Sequence, residues 1–132
     1  MFKGKLRFLI ADDQDLVRLM IKAYFKPYKV KMIEARNGKE AIKILKKRKI
    51  DMMILDYEMP ELNGEQVLEL MQNDKKLVDV PVILYTAGGL DEEKEKWLKT
   101  STVAFIEKSN IGMDLISTVK DILGSRLEEI ED

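Results

Sequence analysis

The sequence contains no cysteine and no histidine. Without thiols there is neither a disulfide framework nor a cysteine nucleophile. Without imidazole there is no Ser/His/Asp triad, no histidine general base and no ordinary zinc site. Any chemistry therefore falls to Asp, Glu, Lys, Tyr, Ser and Thr. No apolar run reaches the roughly 20 residues that span a bilayer. The short run in MFKGKLRFLIADD meets aspartates instead of a small-residue cleavage site, so it reads as a first strand and not as a signal peptide. A cytoplasmic protein without membrane insertion is expected. Charge of one sign is also missing: 23 Lys and Arg against 24 Asp and Glu leave a formal net charge of -1, which argues against direct nucleic-acid binding through a basic surface.

What is present is enough apolar material for one core: 45% of 132 residues are hydrophobic, the size of a single domain. Arg7 to Ala11 (RFLIA) suits a buried strand, closed by Asp12 and Asp13. From Asp15, Leu16, Leu19, Met20, Ala23 and Tyr24 recur at helical spacing until Pro27. A less apolar strand within Lys29 to Ala35 belongs near an edge. After the Asn37-Gly38 turn comes a helix with Ala41, Ile42 and Leu45 inward. DMMILD is a strand covered on both faces that ends on Asp56. Asn63 to Met71 is the next helix, with Val67, Leu68, Leu70 and Met71 inward.

Pro81 to Tyr85 is a fourth strand, closed by Thr86 and Gly88-Gly89, and Val103 to Ile106 is a fifth. Between them Asp91 to Lys99 carries little apolar surface besides Trp97 and Leu98, so a loosely packed helix with Glu92/Lys96 and Glu95/Lys99 pairs is expected. A last helix starts near Ile111 and uses Leu115, Ile116, Val119, Ile122 and Leu123. Leu127 and Ile130 nearly continue its stripe, so residues 125–132 are expected to extend it beyond a domain spanning 1–124. Strands alternating with helices at these spacings predict an α/β fold, a doubly wound five-stranded parallel sheet with five helices.

Ligands of such sheets bind outside the carboxyl ends of the strands. Asp12 and Asp13 follow the first strand, Asp56 the third, Thr86 the fourth and Lys108 the fifth. Singly each has an ordinary explanation, such as a helix cap or a solvated charge. Five at successive strand ends point to a site. Three clustered carboxylates repel one another, and an all-oxygen set suits Mg²⁺, which completes its shell with waters and phosphate oxygens. The pattern thus predicts a Mg²⁺ site and a phosphoryl ligand, with Asp56 as an oxygen nucleophile.

LIADDQ, ILDYEMPELNG, LYTAGG and FIEKS, spread over essentially the whole chain, resemble the receiver domain of two-component response regulators, chemotaxis regulators among them. The resemblance implies a flavodoxin-like strand order 2-1-3-4-5 and a receiver domain over 1–124. It implies that Asp56 is the phosphoacceptor, taking its phosphoryl group from a phosphohistidine of a sensor histidine kinase or a histidine phosphotransfer protein. Asp12, Asp13 and Asp56 would hold Mg²⁺ with the backbone carbonyl of Glu58. Thr86 and Lys108 would bind phosphoryl oxygens, and Thr86 and Phe105 would form the switch.

Two positions depart from the family pattern. Ser109 stands where proline usually follows the lysine, so a trans Lys108-Ser109 bond is expected, because a non-proline cis bond costs about 3 to 4 kcal/mol. Glu58 stands where a small polar residue is common, and an effect on phosphate lifetime is expected. Phe105, with no hydroxyl to bury, is expected to be mostly buried before phosphorylation.

With no output domain after the last helix, the leading expectation is a stand-alone module that switches binding to a downstream protein. Its surface would be the face around Asp91 to Lys99, Phe105 and the last helix. The alternative is a phosphorelay intermediate that passes the group to another histidine phosphotransfer protein. A turnover enzyme of the aspartyl-phosphate hydrolase kind is disfavoured, since haloacid-dehalogenase-type phosphatases want a second aspartate two residues after the nucleophile, where this chain has Glu58.

Overall fold

Strands and helices alternate along the chain as the apolar pattern requires. The computed structural model describes residues 4–131. The elements are β1 (Leu6–Ala11), α1 (Asp15–Tyr24), β2 (Val30–Ala35), α2 (Gly38–Lys47), β3 (Met52–Asp56), α3 (Gly64–Gln72), β4 (Val82–Thr86), α4 (Glu92–Ser101), β5 (Ala104–Glu107) and α5 (Ile111–Leu123), with 3-10 turns at Lys108–Asn110 and Gly124–Arg126. All strand pairs are parallel and the order is β2-β1-β3-β4-β5, the expected doubly wound sheet. β3 and β4 are buried along their whole length, while β2 takes the edge place its mixed composition suggests.

Alternation along the strands sends side chains into two apolar layers. Leu9, Met53, Leu55 and Leu84 meet α2, α3 and Leu98 of α4 on one face. Phe8, Ile10, Ile54, Ile83 and Tyr85 meet α1 and α5 on the other. Local signals set the helix starts: Asn37 and Asp91 accept the Glu40 and Lys94 backbone N–H groups, and Asn63 and Gln66 form a reciprocal capping box. Gly64 at the head of α3 is required by close approach. A Cβ there would lie 2.8 Å from the Tyr57 Cα and 3.1 Å from the Asp56 carbonyl oxygen, so glycine lets α3 pack against the loop that follows β3.

Several expectations change. Helix α1 turns a different arc inward than the one read from its leucines: Leu16 and Leu19 are exposed, and the buried positions are Arg18 and Ile21. Arg18 is accommodated because each part of its guanidinium is partnered. Its Nη1–H donates to the Asp12 carbonyl at 2.8 Å and its Nε–H to Glu34 at 3.0 Å, with Asp15 on Nη2. Leu70 of α3 is likewise exposed. In α4, Leu98 is fully buried, and of the two expected ion pairs only Glu95 to Lys99, at 2.9 Å, forms among the described residues.

The last helix does not extend over 125–131, the described part of the expected extension, and residue 132 lies outside the described residues. It stops at Leu123, and Gly124 takes a positive φ of 55° that ordinary residues disfavour. The chain instead folds back, buries Leu127 in the α1/α5 layer and pairs Glu129 with Tyr28 in an antiparallel bridge. This strap is fastened by the Lys29 N–H on the Glu128 carbonyl at 2.8 Å and the Ile130 N–H on the Pro27 carbonyl at 2.7 Å.

Candidate functional site

The parallel register brings the carboxyl ends of β1, β3 and β4 to one edge. Ala11 pairs with Leu55 and Asp56 with Tyr85, so Asp12, Asp56 and Thr86 emerge side by side. Oxygens of Asp12, Asp13 and Asp56 lie within 4.8 Å of one another. Asp12 and Asp56 are each only 1% exposed, whereas Asp13 faces solvent. Lys108, in the turn after β5, reaches the Asp56 Oδ1 at 3.0 Å. The five strand-end residues read from the sequence therefore do converge.

The electrostatics follow from that crowding. Burial and then the nearby Asp12 charge push the Asp56 carboxyl up to about 7, against the opposing pull of Lys108 and the Glu58 backbone N–H, which donates to it at 3.1 Å. Burial alone would lower the Lys108 ammonium, but Asp56 and Glu58 outweigh it and hold the pKa above its ordinary value. Asp12 is fixed by two donors: the Gln14 N–H on Oδ1 at 2.8 Å and the Tyr85 hydroxyl on Oδ2. Burial and the Asp12 charge raise the Tyr85 phenol, so it stays protonated as the donor. The ring of Tyr85 also lies under the Lys108 ammonium, 5.9 Å from the centroid.

Glu58 enters the site through its side chain as well as its backbone N–H. Its side chain accepts the Thr86 hydroxyl at 2.6 Å and the Ala87 N–H at 3.2 Å, and meets the Lys108 ammonium at 3.2 Å. Burial would raise this carboxyl, but those three partners hold it below its usual value. Phe105 keeps only a minor part of its surface in solvent and packs against the layer that holds Leu84 and Leu98, with the Lys99 ammonium 5.5 Å from its ring centroid. The Lys108-Ser109 bond is trans, as the serine leads one to expect.

Sequence reasoning missed Tyr85 and Arg18. Tyr85 reads as strand filler in PVILY, and only the register opposite Asp56 reveals its hydroxyl as a site group. Arg18 carries no signal beyond its helical spacing from Asp15.

A family model, the response regulator receiver domain, matches residues 8–120. The chain belongs to this receiver family. Membership implies phosphorylation on an aspartate within a two-component system, and the cluster of Asp12, Asp13 and Asp56 fits both Mg²⁺ and that modification. Among curated relatives, the receiver is 29% identical to the phosphate regulon transcriptional regulatory protein PhoB of Pseudomonas aeruginosa over 87% of this chain. It spans only 50% of PhoB. It is 27% identical to the polar-differentiation response regulator DivK of Brucella anthropi, covering 88% of this chain and 94% of DivK. Among solved structures, the receiver superposes on the response regulator TrrA of Thermotoga maritima, in complex with Mg²⁺-BeF, with a TM-score of 0.77 at 29% identity, over 89% of this chain and 99% of TrrA. The receiver domain of the Francisella response regulator 1452 matches with a TM-score of 0.75 at 28% identity, over 90% and 96%.

Proposed function

We propose that this receiver accepts a phosphoryl group on Asp56 from a phosphohistidine of a sensor kinase or phosphotransfer protein, and that the modification switches its binding to a downstream protein. The observation that carries the reading is Asp56 itself. It is a carboxylate almost wholly withdrawn from water at the end of the central strand, held at 3.0 Å by Lys108 and flanked by Asp12 and Asp13. Burying an ionised group this way is costly unless the site uses it.

In the proposed step an Asp56 oxygen attacks phosphorus and the P–N bond breaks, its electron pair staying on an imidazole that is protonated on the other ring nitrogen and so leaves neutral. Lys108 and the Thr86 hydroxyl receive phosphoryl oxygens, so that charge is neutralised where it moves. The residues present fit a divalent cation. Asp12, Asp13 and Asp56 offer only oxygen, two of them are buried, and burial together with the Asp12 charge keeps the Asp56 carboxyl raised despite Lys108. These three, with the Glu58 carbonyl, would hold Mg²⁺, which would neutralise the carboxylates and the incoming phosphoryl oxygens.

In this reading residues 1–124 form the receiver unit, working in the cytoplasm as a signalling module and not as a turnover enzyme. Thr86 and Phe105 carry the switch to a partner surface formed by α4, β5 and α5. Incubation with a small phosphodonor and Mg²⁺, followed by intact-mass spectrometry, tests the acceptor. One base-labile phosphoryl adduct is expected on the native protein and none on Asp56→Asn. Equal labelling of the variant would refute the assignment.

A further inference from the structure

The groups expected to bind phosphoryl oxygens already hold an anion. The Glu58 carboxylate takes the single hydroxyl proton of Thr86 at 2.6 Å and the Ala87 N–H at 3.2 Å, and it shares the Lys108 ammonium, at 3.2 Å, with Asp56 at 3.0 Å. A hydroxyl, a backbone amide and an ammonium converging on two carboxylate oxygens make an anion receptor. We infer that Glu58 is an internal occupant of the phosphoryl receptor, a carboxylate that must leave before a phosphoryl group on Asp56 can take its donors. The inference rests on the phosphoacceptor role of Asp56.

Two arguments support displacement over sharing. Thr86 and Ala87 each offer one proton, and both are committed to Glu58. A phosphoryl group carries close to two negative charges, and a third beside it, drawing on the same Lys108 ammonium, is unfavourable. The exit is open, because the Glu58 side chain is 39% exposed on its outer side.

Displacement changes what the switch reports. Thr86 is buried and its hydroxyl is directed into the site in the unmodified protein. Phosphorylation therefore exchanges one anion for another at Thr86, and the larger movement is the release of the Glu58 side chain onto the surface of the loop between β3 and α3. Unmodified receiver is held in a conformation part-way to the modified one, and phosphoryl analogues bind against an internal competitor.

The test uses beryllofluoride with Mg²⁺ as the phosphoryl analogue on the full chain, with Glu58→Ala and Glu58→Gln beside the native protein. Removing the competitor is expected to tighten analogue binding about tenfold in Glu58→Ala, the equivalent of about 1.4 kcal/mol, with Glu58→Gln between the two. The carboxyl carbon of Glu58, labelled with ¹³C and assigned by its absence from the glutamine variant, is expected to move to the shift of a solvated glutamate as the native protein saturates. An unmoved resonance, or an alanine variant binding within twofold of native, overturns the inference while leaving the acceptor role standing. Native protein that neither binds the analogue nor labels on Asp56 overturns both.

Discussion

Because the chain has no histidine, few ordinary side chains change charge between pH 5 and 8, and the raised Asp56 carboxyl becomes a readable reporter of its site. Its folded pKa, about 7, lies above the ordinary aspartate value of 3.8. The folded protein therefore binds more protons than the unfolded chain between those values. The stability this contributes is fully present below pH 4 and is lost as pH rises through about 7, so metal-free protein is expected to lose stability across that window. Mg²⁺ reverses the trend, since its ligand must be ionised. With a pKa of about 7, Asp56 is about 3% ionised at pH 5.5 and about 90% at pH 8, so Mg²⁺ affinity is expected to rise about 30-fold between them. Calorimetric titration at the two pH values measures the ratio, and thermal melts with and without Mg²⁺ measure the crossing slopes. A change in affinity under threefold, or metal-free protein that gains stability from pH 5 to 8, would show that Asp56 is not held protonated by burial and Asp12.

Tyr85→Phe deletes a buried donor to the Asp12 carboxylate, and a loss of about 1.5 to 3 kcal/mol is expected by denaturant melts; a change under 0.5 kcal/mol, within the scatter of about ±0.5 typical of surface changes, would mean that Asp12 finds another donor. Gly64→Ala places a Cβ 2.8 Å from the Tyr57 Cα, so it is expected to lower stability and to slow labelling of Asp56 by distorting the β3–α3 loop, whereas an unaffected labelling rate would show that α3 yields alone. Leu98 is the fully buried anchor of α4, and Leu98→Ala is expected to cost about 2 to 5 kcal/mol and to raise amide exchange through Glu92–Ser101; a cost near zero would mark α4 as undocked in solution.

The sheet was legible because its strands are short apolar runs separated by turn residues, and a run such as MMILD, too short for a helix and followed by Pro60 and Gly64, favours a buried parallel strand. The strand-end residues were legible for a related reason: topology, not sequence proximity, gathers them, and the parallel order follows from the crossover helices. Helix α1 was misread because two apolar stripes overlap on it. Leu16 and Leu19 outrank Ile21 in a simple count, and nothing in periodicity shows that Arg18 is neutralised by Glu34 and Asp15. The Tyr85 hydroxyl, and the partners of the Glu58 side chain though not its importance, were invisible for a different reason. Their roles depend on which strand lies beside which and on loop conformation, neither of which leaves a local pattern. The end of the last helix turned on Gly124, where a continuing stripe outweighed the glycine in the reading and tertiary burial of Leu127 decided the matter in the fold.

The strap that follows α5 sets an order of events in folding. It ties residues 128–130 to residues 27–29 and so closes a loop of about three-quarters of the chain, with Lys29 and Glu128 separated by 99 positions. Closing a flexible loop of that length costs about 4 kcal/mol in chain entropy, more than two backbone hydrogen bonds return on their own. The strap can therefore form only after the sheet and the packing of α1 against α5 have already brought its two ends together. It belongs on the native side of the folding barrier, where contacts restrain unfolding and leave the rate of folding nearly unchanged.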